Sequence, residues 1–191
     1  MVIATRKKFT IAEYHQLVNL GFFTEDEKIE LIRGEIINMA PKRTPHSVCN
    51  SLLWKKLYQL IGQQAEIRVQ EPITLPSYSE PEPDVVVAKL KADNYLSAHP
   101  VAEELILVIE IADSTLKYDR EVKIPLYAEA GINEYWIFNL VDKCLEVYTK
   151  PFSLQNGNFS YQTRNIILAD EKIEIPGFSD VVLELVTVFP Q

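Results

Sequence analysis

Apolar positions recur along the chain with different periods, and each period predicts an element. Ile11, Tyr14, Leu17 and Val18 fall at helical spacing behind Thr10 and Glu13, a pair able to cap each other's free amides, and Gly21 follows the last of them. KIELIRGEIINM has two β-branched runs around Arg33-Gly34-Glu35 and predicts a tight hairpin. A second helix is predicted from near His46 to Gly62, with Val48, Leu52, Leu57, Leu60 and Ile61 on its buried side.

The middle of the chain changes to strand periodicity. EIRVQEPITLP alternates, and Pro72 makes that strand an edge or breaks it there. PDVVVAKL and ELILVIEIA are short apolar runs of the kind buried on both faces of a sheet. YDREVKIPLYAEAG predicts a helix ended by Gly131; Pro125 lies inside it, so the helix bends there or starts later. EYWIFNL and CLEVYTK read as strands joined through Val141-Asp142-Lys143. Further strands follow, with turn signals at Asn156-Gly157 and Pro176-Gly177. The expectation is a single α/β or mixed α+β domain over 1–191, with a core of about 10–150 and a C-terminal β extension of about 151–191.

Composition narrows the function classes. With 191 residues, 47% of them apolar and 24% charged, the chain can bury a core without disulfides. Cys49 and Cys144 lack metal-ligand spacing, and no signal peptide or membrane span is read. The expected location is therefore the cytoplasm, with no membrane partner. A net charge of −8 argues against a generic nucleic-acid binder. It leaves room for an enzyme that gathers carboxylates around a metal and places its cations locally, as at Lys42-Arg43, Lys55-Lys56, or Lys117 with Arg120 and Lys123.

Candidate chemistry centres on ELILVIEIA. Alternation puts Ile106, Val108, Glu110 and Ala112 on one face and Leu105, Leu107, Ile109 and Ile111 on the other, so Glu110 sits in an apolar strand. A buried carboxylate needs a partner, which is either a basic side chain or a bound cation. Asp84 opens the preceding strand, the natural sheet neighbour of the Glu110 strand. Two such carboxylates side by side repel each other unless one is protonated or a divalent cation neutralises both. Mg²⁺ takes oxygen ligands of this kind. Lys123, on the next element, could reach the same end of the sheet, with Arg120 sharing its face. Asp, Glu and Lys together meet the needs of phosphodiester hydrolysis; an ordinary surface lysine is the alternative for Lys123.

Pro83-Asp84 followed by Glu110 looks like the signature of PD-(D/E)XK nucleases. The longer set of ELIRGEII, Thr44-Pro45-His46, EPDVVV, LVIEIADST and YDREVKIPLYAEAGINEYWIF resembles the Uma-type family of restriction-endonuclease candidates, from residue 10 to about 150. The resemblance implies a restriction-endonuclease-like core, with a central mixed β-sheet flanked by helices and additional C-terminal strands. It implies a Mg²⁺- or Mn²⁺-dependent DNA endonuclease with Asp84, Glu110 and Ile111 at the metal. The usual lysine position is Ala112 here, so the resemblance transfers that role to Lys123, within the Asp119, Lys123, Tyr127 spacing. It adds Glu30 as an acidic member and His46 as its neighbour; the alternatives are an outward strand residue and a helix-start residue. Tyr127, Tyr135 and Trp136 read as packing residues. A homodimer is expected from the need to cut two strands. The rival readings are a catalytically degenerate nuclease fold serving as a binding or assembly module, a carboxylate-pair hydrolase such as a glycosidase, and a nuclease for RNA or structured DNA.

Overall fold

The computed structural model describes residues 5–24 and 26–190. Helix α1 (Ile11–Asn19) begins at the expected capping box. The Glu13 amide donates to Thr10 Oγ1 at 3.2 Å, and the Thr10 amide donates to Glu13 Oε2 at 2.9 Å. Strands β1 (Ile29–Ile32) and β2 (Glu35–Asn38) form the predicted antiparallel hairpin. Both turn residues take positive φ, Arg33 at 49° and Gly34 at 75°. That geometry suits a two-residue hairpin turn, and a Cβ at Gly34 would lie 3.0 Å from the Phe9 carbonyl oxygen.

Helix α2 (Thr44–Ile61) corrects the expected buried face. Its buried residues are His46, Cys49, Asn50, Leu53, Leu57 and Ile61, whereas Val48 is 40% exposed and Leu52 and Leu60 are only half-buried. Two polar residues, His46 and Asn50, occupy the core-facing stripe, so the apolar periodicity by itself points about one position away from the true buried face.

A six-stranded mixed sheet forms the centre, in the order β3 (Glu66–Val69), β4 (Val85–Ala88), β5 (Leu105–Ala112), β6 (Glu134–Asn139), β7 (Cys144–Ser153), β8 (Phe159–Leu168). All neighbours are antiparallel except β5 and β6, whose parallel pairing requires a crossover. The strand before Pro72 is an edge and ends at Val69, with Gln70 at φ 54°. A register shift between Val87 and Ala88 opposite the start of β5 changes the expected alternation. Ile106 packs with the cluster of Leu107, Ile109 and Ile111, and Leu105 packs with that of Val108 and Ala112. Beyond the shift, Glu110 keeps its predicted face.

The crossover resolves the awkward proline. A short helix α3 (Leu116–Tyr118) leads into a π-helical segment, Asp119–Lys123, and then helix α4 (Ile124–Glu129) with Pro125 in its first turn. The missing amide of proline falls just past the junction where the π segment runs on into α4. The wider π turn precedes it and carries Asp119 and Lys123. On one face of the sheet, α2 packs with the C-terminal segment, which supplies β9 (Lys172–Glu174), β10 (Val182–Glu184), and buried Ile175, Leu183, Leu185, Val188 and Phe189. On the other face, Leu126, Tyr127 and Ala128 of α4 cover Val86, Val108, Tyr135 and Ile137. Among the described residues no helix is long and apolar enough to cross a membrane.

Candidate functional site

The sheet register brings the two strand carboxylates together. Val85 pairs with Ile109, so Asp84, one residue before β4, lies beside Glu110 and Ile111. The Asp84 amide donates to Glu110 Oε2 at 3.3 Å, and Asp84 Oδ2 accepts the Ile111 amide at 2.8 Å. His46 Nε2 lies 2.9 Å from the same Oδ2, and Lys42 Nζ lies 3.4 Å from Oδ1. A carboxylate only accepts, so Nε2 is the imidazole donor and fixes the orientation of Asp84. His46 is placed there because α2 turns its first buried position towards the start of β4.

Lys123 and Glu30 complete the cluster from opposite sides. Lys123 is 1% exposed; its Nζ donates to Glu30 Oε2 at 2.6 Å and lies 3.4 Å from Glu110 Oε1. Glu30, fully buried on β1, also accepts from Tyr118 Oη at 2.9 Å and from the Glu82 amide at 3.3 Å. Tyr127 donates its hydroxyl to Glu110 Oε1 at 2.7 Å. Asp119 accepts from Thr115 Oγ1 at 2.8 Å. Glu30, Asp84, Glu110, Tyr118, Asp119 and Lys123 border a cavity of about 310 Å³ that reaches solvent past Met39, Lys42 and Arg43.

The structure therefore assembles Asp84, Glu110, Lys123, Glu30 and His46 in one place. Ile111 presents its amide to Asp84, its side chain is buried in the core, and only its carbonyl is suited to a cation. Arg120 does not share this site: in the π segment it points to Glu146, a fully buried carboxylate on β7 also held by Arg164 and Tyr148. Tyr127, expected as packing, touches Glu110 directly, although its spacing from Asp119 and Lys123 had marked it in the sequence. Tyr118 carried no sequence signal, because its contact to Glu30 joins residues 88 apart.

The electrostatics follow from burial and crowding. Burial, reinforced by Asp84, Asp119 and Glu30, pushes the Glu110 carboxyl up to about 8 against the pull of Lys123. Burial also acts upward on Asp84, but the His46 hydrogen bond and charge, with Lys42 and the Ile111 amide, outweigh it and hold Asp84 below the usual range. Asp119 is raised to about 6, chiefly by burial. Burial favours a neutral Lys123, but Glu110 and Glu30 reverse this and keep the ammonium charged.

This donor set suits a hard divalent cation. The carboxylates of Asp84 and Glu110 both border the cavity, and burial raises that of Glu110, which a cation beside it would reverse. Among the described residues no three His, Cys, Asp or Glu side chains form a metal-binding group, so the two carboxylates would be supplemented by main-chain oxygen and water.

No curated protein is significantly similar to the chain. Among solved structures, a crystal structure of "a putative nuclease belonging to DUF820" from Anabaena variabilis has the same fold. The TM-score is 0.72 at 18% identity, covering 95% of this chain and 97% of that one. A family model described as "Putative restriction endonuclease" matches residues 11–186, a span that includes every side chain of the cluster. By that match, the chain belongs to the Uma2 family of restriction-endonuclease-like nucleases.

Proposed function

We propose that the chain is a metal-dependent endonuclease that hydrolyses phosphodiester bonds, with DNA as substrate and Mg²⁺ or Mn²⁺ as cofactor. The observation that carries this reading is the convergence of Asp84 and Glu110 on adjacent strands with the buried ammonium of Lys123 at the edge of an open cavity. Asp84 and Glu110 would hold the cation, with the Ile111 carbonyl as a further donor. When bound, the cation polarises a phosphoryl oxygen and acidifies a water. Lys123 supplies fixed positive charge that offsets the negative charge developing at phosphorus. Glu30 holds Lys123 in place, and Tyr118 in turn holds Glu30; they are positioning residues. His46 orients Asp84, and Tyr127 orients Glu110. Two buried, unpaired cysteines agree with a reducing cytoplasm. Were the substrate a duplex, cutting both of its strands would call for two such sites, and so for a homodimer.

The test is calorimetric titration of Mn²⁺ into the wild-type protein and Glu110→Ala, with a plasmid-cleavage assay on the same samples. Binding and cleavage in the wild type, both lost in the variant, are expected. A wild type that binds no Mn²⁺, with or without DNA, would instead identify a degenerate nuclease fold acting as a binding module.

A further inference from the structure

A second groove, of about 390 Å³, lies beside this cavity, between α2 and the end of β3. Lys42, Asn50, Ser51, Trp54, Val69 and Gln70 line it. It adjoins the carboxylate cluster at two points: Lys42 borders both, and the Gln70 amide donates to the Asp84 carbonyl at 3.1 Å.

Three side chains bordering or neighbouring this groove belong to none of the apolar core clusters. Trp54 is 39% exposed, although the core-facing stripe of α2 is complete without it. Tyr58, one turn further, is 56% exposed, and its ring lies 6.1 Å from that of Trp54 at an angle of 31°. Asn50 is 7% exposed, and among the described residues its Oδ1 has no hydrogen-bond partner. Leaving such an acceptor unfilled costs about 1–3 kcal/mol, which a ligand donor would recover. An exposed indole beside a phenol offers a flat apolar surface to any base, and the free carboxamide oxygen accepts from a base N–H.

We propose that this groove binds an unpaired nucleic-acid strand, with one base stacked on Trp54 and Asn50 Oδ1 accepting from a base donor. The inference rests on the nuclease reading and specifies its substrate: a single strand, or a locally unpaired segment beside the bond to be cut. Trp54 lies eight residues beyond His46, about 12 Å along the helix at 1.5 Å per residue, or a few nucleotides from the carboxylates. A duplex fits less well. Its base faces are already stacked on one another, so the indole of Trp54 has no free face to meet.

Intrinsic fluorescence tests this directly, because the chain has two tryptophans and Trp136 is fully buried. An oligothymidylate of about 12 nucleotides, and the corresponding duplex, are titrated into the protein with Ca²⁺ present to neutralise the carboxylates. The single strand is expected to quench the exposed Trp54 emission and to bind about tenfold or more tightly than the duplex. Trp54→Leu should lose the quench and bind a labelled single strand about tenfold more weakly; Asn50→Leu should show a smaller loss. Equal affinity in Trp54→Leu, a duplex bound as tightly, or no quench overturns the subsite. So does a quench that follows protein concentration without nucleic acid, which assigns the groove to a second copy. Cleavage in Mg²⁺ is read separately: an intact quench without cleavage overturns the enzymatic reading and leaves a single-strand binding site.

Discussion

Removing an ammonium from water costs several kcal/mol, and at Lys123 that cost is offset by contacts of 2.6 Å to Glu30 and 3.4 Å to Glu110. Truncation would strand Glu30 in the interior. Lys123→Ala is expected to lose about 3–5 kcal/mol in denaturant unfolding, and the paired change Lys123→Met with Glu30→Gln should recover much of it. In cleavage assays Lys123→Ala should slow turnover about 100-fold while Mn²⁺ affinity in calorimetry persists; loss of metal binding would show that its role is different. Glu110 gives a pH signature. Its folded value of about 8 lies above the ordinary 4.5, so between these limits the metal-free folded protein keeps a proton that the unfolded chain has released. Its contribution is fully present below pH 4.5 and falls away as pH rises through 8. Glu110→Gln should therefore match the wild type near pH 5 and exceed it by a few kcal/mol near pH 8.5 in thermal unfolding without metal. A gap that shrinks with rising pH would contradict this assignment.

Among the elements, α2 serves both core and site. Leu57 is fully buried and Val48 is 40% exposed, so Leu57→Ala should cost about 2–5 kcal/mol and Val48→Ala no more than about 0.5 kcal/mol in urea unfolding. A comparably large loss at Val48 would restore the helix face expected from apolar spacing, which put both residues on the buried side. That spacing misplaced the face because His46 and Asn50, both polar, belong to the buried stripe for reasons that lie at the site and its groove. The π segment is a comparable case. Pro125 signalled a disturbance in the sequence, but a wider turn placing Asp119 and Lys123 inward is set by what they meet in the interior. The capping box, the hairpin and the paired central strands were readable because each depends on neighbours a few residues away.

The whole molecule carries net charge −8, and its cations near the cavity mouth are Lys42 and Arg43, the latter 3.6 Å from Asp113. Few phosphates can be neutralised by so small a basic patch. The logarithm of the nucleic-acid binding constant should fall with the logarithm of salt at a slope no steeper than about −3, measured by anisotropy from low to moderate salt. A slope near that of strongly basic binders would mean that a cationic surface elsewhere makes the contact. At this scale the limits of local reading are plain. Residue spacing and polarity sufficed for the hairpin, the strand carrying Glu110, the approach of Asp84 to it, and the family likeness that pointed to Lys123, Glu30 and His46. Those signals lie in short stretches, where alternation and capping act between near neighbours. The contacts of Tyr118 and Lys123 with Glu30, the turning of Arg120 to Glu146, and the groove between α2 and β3 join residues far apart in the chain. They exist because closing the sheet and burying both its faces leaves each charge one low-energy place to go, and no local pattern records which partner that will be.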